Sequence, residues 1–221
     1  MAEKYGTVPP KFTKAWWEHY WTYYKWHTII TLFIVVCITS AVYQSVTKEK
    51  YDITLAYAGY NAFSEESIEE ISDKLSPLCE DVDENGKKNL CFSNIRFFKD
   101  DADADYNMAA HTKLQISLAS DETYIYILDE KLLVSFIGDD ADSSPFDPIE
   151  NWYDGTVNPE TAFSRFGKAY GIPISECKMF EDISQNLENH YLLLRYYPRD
   201  DQKEQLKGYE AATKLAAQII G

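Results

Sequence analysis

Few side chains in this sequence have the type and spacing that chemistry needs. Only four His occur, and His19 and His27 sit next to an apolar run. His111 and His190 are far apart in sequence, and neither has a hydroxyl, thiol or carboxylate at a spacing that would make an acid–base pair. The acidic run DDADAD at 100–105 suggests a calcium loop. Counted from Asp101, however, the pattern needs Gly at the position of Tyr106 and Glu at that of Thr112. A solvated loop that caps a helix is the expected reading, and the acids between Asp139 and Asp147 fail the same test. No phosphate loop, dinucleotide fingerprint, nucleophile elbow or H-E-x-x-H is present. The sequence therefore predicts no catalysis, no metal site and no cofactor.

Of the four Cys, Cys37 falls inside the apolar run, and Cys79, Cys91 and Cys177 lie further along. Cys79 and Cys91 flank the polar turn DENGKK and would close a short loop as a disulfide in an oxidising compartment. Free thiols fit the sequence equally well. No C-x-x-C or Cys/His spacing points to zinc.

The residues left for function are those that strands would carry to a common edge. Residues 51–58 (YDITLAYA) alternate and are rich in β-formers, which predicts a first strand that ends in the turn Gly59-Tyr60-Asn61. Ser64 with Glu65 and Glu66 opens a helix, and 92–99 (FSNIRFFK) reads as a second strand. A helix over 105–120, with Met108, Leu114 and Leu118 inward, leads to the strand TYIYIL at 123–128, which ends at Asp129. A short helix over 131–137 and a polar loop over 138–159 with Trp152 and Tyr153 come next. A helix is then expected over 159–170, a strand over 190–197, and a closing helix over 200–220 with Leu206, Tyr209, Leu215 and Ile219 inward. This alternation predicts a small, mostly parallel α/β sheet flanked by helices. Ligands of such sheets gather at the carboxyl ends of the strands, which makes Gly59, Tyr60, Asn61 and Asp129 the expected ligand-binding residues, with Trp152 as a stacking lid.

Ahead of this domain, residues 26–47 carry no formal charge over 22 positions, enough for a helix to cross about 30 Å of hydrocarbon. About 25 residues precede the run and no A-x-A site follows it, so a retained transmembrane anchor is expected rather than a cleaved signal. Lys4, Lys11, Lys14 and Lys25 come before the span; after it, only Lys48 and Lys50 are close, beside Glu49 and Asp52. The bias places the N-terminus in the cytoplasm and the following domain outside the cell membrane. Residues 1–25 form an aromatic amphipathic segment, in which Trp16, Trp17, Tyr20, Trp21 and Tyr24, with Trp26 at the start of the span, are the expected membrane-interface residues. The same rings could dock another membrane protein.

The charge splits along the same boundary. Six Lys against three Glu give 1–50 a charge of +3, so of the total of −15 the remainder carries −18. An acidic domain of that kind is repelled by nucleic acid and by anionic lipid. The 45% apolar and 15% aromatic content of the whole chain supports a packed core.

The run TKLQISLAS at 112–120, followed by TYIYILDE, resembles a helix and strand in the first lobe of the extracellular solute-binding proteins of ABC importers. The likeness spans 51–137. It implies a single periplasmic-binding-like lobe, with Asp121-Glu122 where that family has Gly-x-Ala-Pro-Asp. The combined expectation is a non-catalytic, membrane-anchored extracytoplasmic module that binds a small solute or an envelope protein. The alternative is a structural accessory subunit that contacts a membrane protein through the span and the aromatic helix.

Overall fold

The computed structural model describes residues 9–47, 51–61, 63–99, 103–120, 122–183, 187–197 and 203–221. Lys4, Lys48, Lys50 and the acids at 100–102 lie outside the described residues. The chain divides into two compact units, Met1–Lys50 and Tyr51–Gly221.

The first unit is built on one helix, α1 (Lys14–Thr47), of 34 residues and about 51 Å. Thr13 starts it: its hydroxyl accepts from the Trp16 amide at 3.3 Å, just after Pro9-Pro10. No Gly or Pro interrupts it, so the aromatic segment and the apolar run form one continuous helix. It is long and apolar enough to cross a membrane. Thr39 donates to the Val35 carbonyl at 2.8 Å, so a hydroxyl within the apolar run satisfies itself.

In the second unit β1 (Ile53–Gly59), β2 (Leu90–Arg96) and β3 (Thr123–Asp129) are parallel. The helix α2 (Glu65–Leu75) links β1 to β2, α3 (Ala104–Ala119) links β2 to β3, and α4 (Glu130–Phe136) follows β3. β4 (Phe163–Arg165), β5 (Lys168–Pro173) and β6 (His190–Leu194) then add antiparallel strands, giving the order β2-β1-β3-β6-β5-β4 before α5 (Lys203–Ile220) closes the chain. The period-2 alternation sorts the core into two layers. Leu55, Tyr57, Ile125, Ile127, Leu192 and Leu194 face α2 and α5. Ala56, Ala58, Tyr126, Leu128 and Leu193 face α3 and α4.

The sheet is thus mixed rather than mostly parallel. Between β5 and β6 the described residues hold only 3-10 turns at Ile174–Glu176 and Lys178–Phe180, and without a crossover helix the chain returns antiparallel. The helix expected over 159–170 is instead the β4–β5 hairpin. Phe166 and Gly167 both take positive φ (54° and 75°), the twist that a two-residue hairpin turn needs. Met108, expected inward, is 65% exposed: Ala110 and Leu114 set the buried face of α3, and Met108 lies on the other side of the helix. Leu206 is likewise 41% exposed at the start of α5.

Candidate functional site

β1 leaves through α2 on one face of the sheet, and α3 brings the chain back to β3 over the other. The carboxyl ends of β1 and β3 therefore flank a topological switch point, where an open α/β sheet leaves a crevice. Gly59, Tyr60 and Asn61 arrive there from β1, and Asp129 and Lys131 from β3 and the start of α4. His190, the register partner of Asp129, arrives from β6.

A buried polar chain lies beneath this edge. The Tyr57 hydroxyl donates to the Asn61 carbonyl and lies 3.1 Å from His190 Nε2. On the far side of the ring, Nδ1 is 3.0 Å from the Glu188 carbonyl. A carbonyl can only accept, so Nδ1 carries a proton. In the neutral ring Nε2 is then an acceptor, competing with Asn61 for the single Tyr57 proton. Only a doubly protonated His190 satisfies every member at once. Burial opposes that state and lowers the His190 pKa, while the Glu188 carbonyl and Asp129 act the other way. Burial also raises the Tyr57 hydroxyl pKa far above the usual phenol range. Gly59 is required at this point, because a Cβ there would sit 2.3 Å from the Tyr57 hydroxyl and 2.7 Å from His190 Nε2.

Above the edge, α3 and α4 border an open groove of about 660 Å³. Phe97 and Leu132, both buried, line its depth, and Tyr60 meets Phe97 edge-on at 6.2 Å. Asn107 lines it too, but its amide is committed: it accepts from Phe98 N and donates to Phe98 O, both at 2.8 Å. His111, tilted against Phe136 at 4.5 Å, borders the groove with Gln115 and Lys131; like the Tyr60 hydroxyl, these side chains have no hydrogen-bond partner among the described residues.

Of the five ligand residues expected from the sequence, only Tyr60 lines this groove. Gly59 is buried behind it, and Asn61 turns its carbonyl to Tyr57. Asp129 caps α4, accepting from Lys131 N at 2.9 Å. Trp152 is not a lid. It is 7% exposed in the core layer of α2 and α5, across the sheet from the groove, and its Nε1 donates to the Asp147 carbonyl at 3.4 Å. Buried Asp147 holds that loop by accepting from Tyr209 of α5 at 2.6 Å and from Asn151.

Cys79 and Cys91 are not bonded, and all four Cys are free thiols. Leu90 packs in the same layer as Cys79, so its strand neighbour Cys91 faces the opposite side, with the sheet between the two sulfurs. The sequence reading found no metal ligands, yet carboxylate oxygens of Asp52, Asp81 and Asp83 lie within 4.8 Å of one another. Asp81-Val82-Asp83-Glu84-Asn85-Gly86 matches the first six positions of a calcium loop, with Phe92 where the twelfth-position Glu belongs. Three carboxylates at that separation can hold a hard cation. In this structure they clasp the loop: Asp52 accepts from Val82 N and Asn89 N, and Asp81 from Asn85 N and Gly86 N.

At the start of α1 and just ahead of it, aromatic rings form a ladder. Phe12, Trp16, Tyr20 and Tyr24 follow one another at 5.7, 5.6 and 5.6 Å, while Trp17, Trp21 and Trp26 are 54%, 56% and 66% exposed.

The sequence could have pointed to Lys131, two residues past a clear strand end. It could not pair His190 with Tyr57, because that contact depends on the antiparallel register of β6. No family model matches the chain, and no curated protein or solved structure matches it either.

Proposed function

We propose that the chain is a membrane-anchored binding module, non-catalytic, with its acidic α/β domain outside the cell and its N-terminus in the cytoplasm. The observation that carries the binding reading is the groove beside the β1/β3 switch point, whose size falls in the range of about 300–1,000 Å³ that small-molecule sites occupy. The anchor reading rests on α1, and the orientation on Lys11, Lys14 and Lys25 at or before its apolar part. The likeness to one lobe of a solute-binding protein is supported by three parallel strands with α2 and α3 on opposite faces. Support for the non-catalytic reading comes from the burial of Tyr57 and His190, the hydrogen-bonded acid–base pair beneath the strand ends.

A second reading, an accessory subunit of a membrane complex, is favoured by the continuity of α1. If residues 26–47 fill the hydrocarbon, the 12 residues from Lys14 to Lys25 extend the helix about 18 Å beyond it. The headgroup layer is only about 5–8 Å deep. Trp16 and Trp17 then stand past the headgroups, in reach of a protein partner.

A thermal-shift screen of Tyr51–Gly221, a compact unit with its own core, separates the two. Amino acids, sugars, nucleosides, peptides and divalent ions form the library. A saturating ligand at about 100 times its Kd adds about 2.7 kcal/mol and moves Tm by several degrees. Silence across the library, with a cooperative melt, directs the search to protein partners of α1.

A further inference from the structure

Among the described residues no Asp or Glu borders the groove, in a chain that holds 36 of them. Among the described residues, the ionisable side chains there besides the Tyr60 phenol are Lys131 and His111. The groove also divides by polarity. Tyr60, Phe97, Met108 and Leu132 offer apolar contact, while Lys131, His111 and Gln115 have donors to give. Asn107, Thr112 and Ser135, also on the lining, are turned inward: the Thr112 hydroxyl donates to Met108 O at 2.9 Å and the Ser135 hydroxyl to Leu132 O at 2.7 Å. The unspent polarity of the groove is therefore donor-rich and cationic, within a domain that is otherwise strongly acidic.

We propose that the groove takes a small carboxylate with a compact apolar body, its head on Lys131 and its body against Tyr60, Phe97 and Met108. The inference rests on the binding reading above and adds the chemical class. An ammonium in the same place would meet Lys131 with like charge and find no carboxylate among the described lining residues. A neutral solute would gain no charge-assisted contact from Lys131, which is exposed and hydrated in the free protein. The acidic remainder of the domain repels anions at long range, but salt screens that field over about 8–10 Å. A carboxylate in contact with Lys131 keeps a charge-assisted hydrogen bond that an alcohol lacks.

The test uses the full chain in phosphatidylcholine nanodiscs, with empty discs as blank, and equilibrium dialysis of three probes that share one ring: phenylacetate, 2-phenylethanol and phenethylamine. Phenylacetate is expected to bind saturably and at least tenfold tighter than either of the others. Lys131→Met should cost tenfold or more, Lys131→Arg should keep binding, and Lys168→Met on β5, a charge change off the groove, should leave it unchanged. Equal binding of the three probes, preference for the amine, or indifference to Lys131→Met would overturn the class. If all three probes fail while the wider library gives a ligand, the class alone falls. If nothing binds the folded chain, the binding reading falls with it.

Discussion

His190 sits where hydrogen bonding and burial disagree about its charge, and that conflict has a sign. Unfolded, the ring titrates near 6.5; folded, burial lowers its pKa. The folded state therefore binds fewer protons than the unfolded state across the interval between the two values. The contribution of His190 to stability is complete above the unfolded value, and it is lost as pH falls through 6.5 towards and past the folded pKa. Urea unfolding of the wild type and of His190→Gln at pH 7.5 and 5.5 checks this. The wild type should lose more stability on acidification than the variant, and equal losses would remove His190 from the account. Gly59→Ala tests the same cluster sterically. Its Cβ would overlap the Tyr57 hydroxyl and His190 Nε2, and overpacking of this kind costs about 1–3 kcal/mol by denaturant midpoint. The thiols are as specific: Cys79 is pushed up to about 11 and Cys177 to about 12, both mainly by burial. Thiol titration of the unreduced chain in denaturant should count four reactive Cys, with Cys79 and Cys177 silent in the native state. A count of two would contradict the placement of Cys79 and Cys91 across the sheet.

Within the long segment between α4 and β4, buried Asp147 adds side-chain hydrogen bonds to the backbone bonds that tie the segment to β6. Tyr209→Phe removes the hydroxyl that donates to Asp147 at 2.6 Å, a hydrogen bond to a charged group worth about 1.5–3 kcal/mol. The measurement is the unfolding free energy of the Tyr51–Gly221 unit, and an unchanged value would mean that the loop is pinned elsewhere. Local patterns made most elements legible. TYIYIL could only be a strand, Ser64 with Glu65 and Glu66 could only start a helix, and 131–137 was placed within a residue of α4. The β4–β5 hairpin was not legible, because its turn is Phe166-Gly167 rather than Asn-Gly, and Pro159 ahead of it imitates a helix start. The site was legible only in part. The rule for strand ends found Tyr60, but Asn61 contributes its backbone carbonyl to Tyr57, Asp129 caps α4, and the fate of Trp152 depended on a loop whose path the sequence does not encode in any period.

For the whole molecule, an apolar helix is joined to an acidic domain in which no acid among the described residues lines the groove beside the β1/β3 switch point. Two consequences belong to this scale. The anchor should keep the chain in the membrane fraction through carbonate extraction, with Tyr51–Gly221 digested by protease added to intact cells. Protection of that unit would reverse the orientation. Replacement of Trp17 and Trp21 by Ala should leave membrane retention intact, because the apolar part of α1 is untouched, and loss of retention would place those rings in the headgroup layer. Amide mapping shows whether ligands meet this protein at the β1/β3 switch point. The ¹⁵N spectrum of Tyr51–Gly221 is titrated with the tightest ligand from the thermal screen. The largest shifts are expected on Tyr60, Phe97, His111 and Lys131. Shifts centred instead on residues 81–86, or on the outer faces of α2 and α5, would contradict that placement.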